Sequence, residues 1–176
     1  GKLTKQQVTG MEAKLDAWEA SNYSDLRWLG YMLGTAYHET AKTMYPIEEF
    51  GKGKGKRYGK KIKYNGQSYI FPDKIYYGRG DIQLTWYENY ELMGKILNIP
   101  LLENPDLTLD PCISAKIMIE GMTRGVSKRG DFTGVSLETY FNNTKEDYIN
   151  ARKIINGLDR ATLIAEYAKR FYSALI

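Results

Sequence analysis

A chain of 176 residues, 43% of them hydrophobic, is long enough to bury a core and falls within the size of one domain. Its net charge of +4 is mild, and its single cysteine, Cys112, excludes an internal disulfide and fits folding in a reducing compartment. No stretch approaches the roughly 18 uninterrupted apolar residues of a membrane span, and no basic start followed by an apolar run marks a signal peptide.

Thr4 to Glu19 is the first predicted helix. Thr4 suits its cap, and Val8, Met11, Leu15 and Trp18 recur at helical spacing. The second runs from about Ser24 to Glu39, with Leu26, Leu29, Leu33, Ala36 and Tyr37 on its apolar face. Next, Lys52 to Lys63 (KGKGKRYGKKIK) packs seven cations into twelve residues. Such a run either attracts a polyanion or forms a solvated loop. Ile62 to Phe71 is predicted as a β-hairpin turning on Asn65-Gly66, the favoured type I′ pair. Thr85 to Leu97 is the next helix, and Thr85-Trp86-Tyr87-Glu88 matches a capping box. Pro111 to about Arg124 follows, with proline at a tolerated first position. Leu137 to Phe141, Lys145 to Asn156 and Asp159 to Leu175 complete the series, with Gly157 as a stop. With no long linker and no repeat, residues 1–176 are expected to form one mainly α domain carrying a small hairpin.

His38-Glu39 ends an apolar helix, where partial burial beside Tyr37 favours a protonated carboxyl, as a glycosidase acid requires. Such an enzyme needs a second carboxylate, and Glu48 and Glu49 are near. On a continuous helix Glu39 and Glu48 would be about 13–14 Å apart on opposite faces. Pro46 forbids that continuation and pushes Tyr45 toward extended geometry, so the helix is expected to end by about Thr43. A turn can then bring Glu48 back toward Glu39. Spacing alone favours the plainer reading, a helix-end salt bridge at Glu39 and surface charges at Glu48 and Glu49.

The segment from Tyr76 to Tyr90 narrows the reading. It contains Tyr76-Tyr77-Gly78-Arg79-Gly80, then Gln83-Leu84-Thr85-Trp86, then Asn89-Tyr90. Together with His38-Glu39-Thr40, Asn104-Pro105-Asp106-Leu107, Asp110-Pro111 and Ile154-Ile155-Asn156-Gly157, it resembles glycoside hydrolase family 19, the plant-type chitinases and related phage endolysins. Gly121-Met122 and Asp147-Tyr148-Ile149-Asn150-Ala151-Arg152 resemble the endolysin branch. The resemblance runs from about Leu26 to Leu175 and implies a lysozyme-like, two-lobed helical domain.

By that resemblance Glu39 is the general acid, Glu48 the second carboxylate, and Thr85 the hydroxyl that helps hold the attacking water. Gln83, Asn89, Asn156 and Tyr76 are the implied substrate-binding residues. Inversion at the anomeric carbon is implied, with the carboxyls about 6.5–9.5 Å apart. Arg79 reads as an internal brace for a carboxylate, and Trp86 as core before sugar platform. One histidine and one cysteine make no metal cluster, so neither metal nor cofactor is expected.

Ala41-Lys42 stands where the chitinases carry a glycine pair, and this departure favours the endolysin branch and peptidoglycan over chitin. The expectation is a monomeric muramidase, made in a host bacterium's cytoplasm and acting on the wall after release. The alternatives are a chitinase, or a non-catalytic cationic protein acting on anionic outer-membrane lipid. The latter would use Lys52–Lys63 and the C-terminal helix with Lys169 and Arg170. Nucleic acid is not an expected partner, because the basic run lacks interleaved stacking aromatics.

Overall fold

The computed structural model describes residues 2–124 and 132–176. Among them the α-helices are α1 (Lys5–Glu19), α2 (Leu26–Glu39), α3 (Tyr87–Leu97), α4 (Pro111–Thr123), α5 (Leu137–Tyr140) and α6 (Ala161–Leu175). The only regular strands among the described residues are β1 (Ile47–Glu48) and β2 (Arg79–Gly80), antiparallel, with Ile47 opposite Gly80 and Glu48 opposite Arg79.

The helices begin where local chemistry stops the chain. Thr4 accepts from the Gln7 amide at 3.1 Å while Gln7 Oε1 accepts from the Thr4 amide at 2.9 Å, a reciprocal box that starts α1. Asp25 caps α2 by accepting from the Arg27 amide. Asp110 caps α4 ahead of Pro111.

Helix α2 is the central element. Every residue from Leu29 to Ala36 is buried, so its neighbours wrap it on all sides. Helix α6 lies along it at very short range. A Cβ added to Gly34 would sit 2.6 Å from the Ala168 nitrogen, and one on Gly30 would sit 2.9 Å from Tyr172 Cβ. Only glycine at these two places lets the backbones approach. Met32, Met118, Phe141 and Ile164 belong to the same core, all of them fully enclosed. Lys14 of α1 and Asp81 just after β2 form an ion pair of 2.7 Å with no exposure on either side chain.

Three local expectations are corrected. The predicted hairpin over Ile62–Phe71 shrinks to one bridge, Ile62 opposite Ser68. Its turn is closed by the Gly66 amide on Lys63 O at 3.0 Å. Of the two residues that a type I′ turn needs at positive φ, only Gly66 (87°) has it. Thr85 does not cap α3: its hydroxyl donates to Gln83 O, and Glu88 accepts the Tyr64 amide, leaving Trp86 at the cap position without a side-chain cap bond. The helix expected over Lys145–Asn156 is a 3₁₀ turn at Asn150–Ile154. Phe141 bridges Glu146, and the Asp147 carboxylate accepts from the Asn150 amide, which delays the helical turn.

Candidate active site

Helix α2 delivers Glu39 at its last residue. The chain leaves the helix at once, because the Thr40 hydroxyl bonds back to Ala36 O and accepts the Met44 amide. Ala41, Lys42 and Met44 then take left-handed φ values of 50°, 70° and 57°. The helix therefore ends before the predicted Thr43, and β1 follows directly.

Glu39 faces a cleft of about 380 Å³. Tyr58, residues 82–86, Asn89, Phe132 and residues 155–156 line it with Glu39. Of the implied site residues, Glu39, Gln83, Thr85, Asn89 and Asn156 all line this cleft. Cavities of similar size elsewhere, such as the one of about 390 Å³ around Gly94 and Pro100, lie away from this carboxyl.

Local bonding fixes each wall residue. Thr85 Oγ1 donates to Gln83 O at 2.8 Å, which leaves its lone pairs as acceptors. Asn89 sits one turn later, with its amide on Thr85 O at 2.8 Å. Gln83 Nε2 is committed to Ile47 O and Gly80 O, so its Oε1 is the free end. A Cβ on Gly78 would lie 2.8 Å from that Oε1 and 3.3 Å from Thr85 Oγ1, so this wall has no room for a side chain at 78. Gln83 (φ 55°) and Trp86 (φ 79°) hold conformations that non-glycine residues rarely adopt. Such positions concentrate at sites where surroundings dictate geometry.

Trp86 is half-buried on the cleft wall, and the rings of Tyr58 and Tyr64 meet it edge-on at 5.2 and 5.7 Å. It is thus a wall aromatic, where the sequence reading favoured core. Arg79 does act as a brace: it is buried, bonds to Asp106 at 2.9 Å and to Tyr90 Oη at 3.1 Å, and lies over the Tyr77 ring.

Two implied site residues are elsewhere. Tyr76 is fully enclosed; its hydroxyl donates to Leu102 O, and its ring packs among Tyr69, Tyr87 and Tyr90. It supports the wall from behind and does not reach substrate. Like Glu49 beside it, Glu48 is not part of the cleft lining. Its carboxylate accepts from Tyr77 Oη at 2.9 Å and pairs with Lys52 at 2.8 Å. The Lys52 bond foremost, then the Tyr77 bond, hold its carboxyl below the usual range. Successive residues of an extended strand face opposite sides, and Glu49 takes the other side. Both Glu49 oxygens accept from Tyr58 Oη at 2.9 Å, and Oε2 also accepts from the Gly78 amide at 3.1 Å. Tyr58 lines the cleft, and Gly78 stands against Thr85. Burial, reinforced by the bond to Glu49, pushes the Tyr58 hydroxyl up to about 12, so it stays a donor.

The sequence reading gave Arg152 no role. In the structure its Nη1 lies 2.7 Å from Glu39 Oε1, with the two side chains 3% and 16% exposed. Its Nε donates to Asp159 O. Burial favours a neutral carboxyl and a guanidinium favours an ionised one; the sequence reading weighed only the first. The available signal was the position of Arg152 four residues before Asn156, whose amide donates to Arg152 O at 3.0 Å.

A mainly helical domain whose cleft sets a part-buried carboxyl against hydroxyl and amide side chains belongs to the lysozyme-like class of glycosidases. Within that class this chain belongs to glycoside hydrolase family 19: the family described as chitinase class I matches residues 29–152. An endochitinase of Arabidopsis thaliana is 34% identical over 110 residues, which is 61% of this chain and 35% of that protein. The inactive chitinase-like protein 1 of Hevea brasiliensis is 53% identical over 49 residues, 27% of this chain and 16% of that protein. The chain thus spans about a third or less of these relatives. Chitinase C from Streptomyces griseus HUT6037 superposes with a TM-score of 0.63 at 28% identity, covering 95% of this chain and 83% of that one.

Proposed function

We propose that the protein is a muramidase of the endolysin type, which hydrolyses the β-1,4 bond between N-acetylmuramic acid and N-acetylglucosamine in peptidoglycan. The observation that carries this reading is Glu39 facing Thr85, Gln83, Asn89 and Asn156 across one cleft.

Glu39 gives its proton to the glycosidic oxygen as the bond from that oxygen to the anomeric carbon breaks. Arg152 then stabilises the carboxylate that remains. Water donates one hydrogen to the lone pair of Thr85 Oγ1 and the other to a basic carboxylate, and its oxygen bonds to the anomeric carbon from the opposite face. Glu49 is the better base. Tyr58, which donates to both of its oxygens, lines the cleft, whereas Glu48 is turned to Tyr77 and Lys52. Proton exchange with solvent resets both groups.

Replacing the glycine pair by Ala41-Lys42 supports peptidoglycan over chitin. The relatives named endochitinases support a second reading, in which chitin is cut. Mass spectrometry of products separates the two: reducing ends at muramic acid mark a muramidase, and ends at glucosamine on chitin oligomers mark a chitinase. Glu39→Gln is expected to abolish lysis with the fold intact, and near-normal turnover by that variant sinks the assignment. Glu49→Gln is expected to lose activity and Glu48→Gln to keep most of it; the reverse result returns the base role to Glu48.

A further inference from the structure

The cleft lining offers amides and hydroxyls, which bind an N-acetylated sugar whether or not the polymer is charged. Discrimination between a neutral glycan and one bearing carboxylates has to come from outside that lining. The run from Lys52 to Lys63 is the obvious source, and the structure joins it to the cleft. Tyr58 bonds to Glu49, and Tyr58 and Tyr64 both clasp Trp86. The Tyr64 amide is tied to Glu88 on α3, and Tyr69 Oη donates to Tyr58 O. The cationic run is thus joined to the cleft wall through Tyr58, and the segment that follows it is fastened to the same wall through Tyr64 and Tyr69.

Its charges divide into two groups. Lys52 is paired with Glu48, Arg57 donates to Tyr64 O, Lys61 is bonded to Pro72 O, and Lys63 lies over the Tyr87 ring. Lys54, Lys56 and Lys60 are exposed, and among the described residues none of the three has a carboxylate partner. Successive tight turns carry the first two: Lys54 N bonds to Gly51 O and Lys56 N to Gly53 O, with Gly51, Gly53 and Gly55 at φ of 85°, 79° and 76°. No acidic residue interrupts the run. Three unpaired like charges on one loop repel each other and gain nothing inside the molecule, so their attraction is directed outward.

We propose that Lys54, Lys56 and Lys60 extend the cleft electrostatically and select a glycan whose peptide stems carry carboxylates over an uncharged one. This rests on the proposed muramidase reading and names its specificity device. A lipid surface is the weaker occupant, because the ridge is continuous with the glycan cleft and not with an apolar helix face.

The test is the triple variant Lys54→Gln/Lys56→Gln/Lys60→Gln, which leaves every cleft residue in place. Activity is read on stem-bearing peptidoglycan and on chitin oligomers. Binding is read by sedimentation with insoluble peptidoglycan and with chitin in a Glu39→Gln background, so that it is measured whether or not anything is cut. Exposed charge contacts of the ordinary size predict about a tenfold loss of kcat/KM and of binding on the stem-bearing polymer. The salt dependence should flatten, and values on chitin should not change. Equal losses on both polymers, or none on either, overturn the proposal. Lost binding to phosphatidylglycerol vesicles with glycan binding unchanged overturns it in favour of lipid. If the native chain cuts chitin and not peptidoglycan, the muramidase reading fails and takes this one with it. If it cuts both and the variant behaves as native, only the lysine proposal fails.

Discussion

Replacing Lys14 with methionine isolates one buried charge pair that holds the substrate wall to the body of the protein. Lys14 Nζ contacts Asp81 Oδ1 at 2.7 Å, Met44 O at 2.9 Å and Gly10 O at 3.0 Å, and neither side chain of the pair has any exposure. The Asp81 amide bonds to Ser114 of α4, and Gln83 is two residues on. Burial pushes the Asp81 carboxyl up and the Lys14 ammonium down, each opposed by the charge of the other. Removing one partner strands the other, at about 3–5 kcal/mol. That is a large part of a total stability of roughly 5–15 kcal/mol. It corresponds to a fall in Tm on the order of 10 °C. The pH dependence has a definite sign. Without Lys14, the folded state holds the Asp81 proton more tightly than the unfolded state does. Stability relative to the native chain is therefore lost as pH rises above about 4, the unfolded value of an aspartate. Asp81→Asn strands Lys14 instead. Its folded state binds fewer protons than the unfolded one, so stability is regained as pH rises toward about 10. Urea unfolding of both variants at several pH values reads these slopes. The double variant Lys14→Met/Asp81→Leu is expected to recover most of the loss. A Lys14→Met penalty below about 1 kcal/mol with no pH slope would refute the reasoning, because an uncompensated buried carboxylate cannot cost so little.

Two further outcomes follow from the site. Tyr58→Phe removes the donor to both oxygens of Glu49 and is expected to lower kcat. Because burial and the Glu49 bond hold that hydroxyl at about 12, the deficit should not change between about pH 7 and 10, read from pH–rate profiles that run parallel over that range. Lys42→Gly relieves a left-handed residue at φ 70°. A penalty of about 1–2 kcal/mol is removed and roughly 0.4–1 kcal/mol of unfolded-chain entropy is restored, so a net stabilisation of about 0.5–1 kcal/mol should appear in calorimetry.

The helices were legible because their signals are local. Apolar spacing and Thr4 as cap marked α1, and Pro111 marked the start of α4. Asp110 supplies the cap there, which the sequence reading did not single out. The sheet was not legible. Its strands have two residues each and pair across about thirty residues of sequence, so neither carries a periodic pattern. The apparent hairpin misled because the aromatic that precedes Asn65-Gly66 has a stronger claim on it: Tyr64 packs against Trp86 and its amide is held by Glu88. The same Glu88 looked like half of a capping box, a motif whose spacing is satisfied here by a residue serving another loop.

The carboxylate pair shows why spacing alone could not settle the site. Pro46 argues that the helix does not continue to Glu48, and α2 does end before it, at Glu39. What sequence cannot fix is the register of the returning strand, and a shift of one residue moves every side chain to the other face. That register is set at a distance, by Ile47 lying opposite Gly80 and by the Glu49 amide on Gly78 O at 2.7 Å. With it fixed, Glu48 turns toward Lys52 and Glu49 toward Tyr58. The directions in which the two adjacent carboxylates face are therefore set by a backbone pairing about thirty residues away. The Tyr-Tyr-Gly-Arg-Gly segment supplies that pairing and the Gly78 amide that Glu49 accepts.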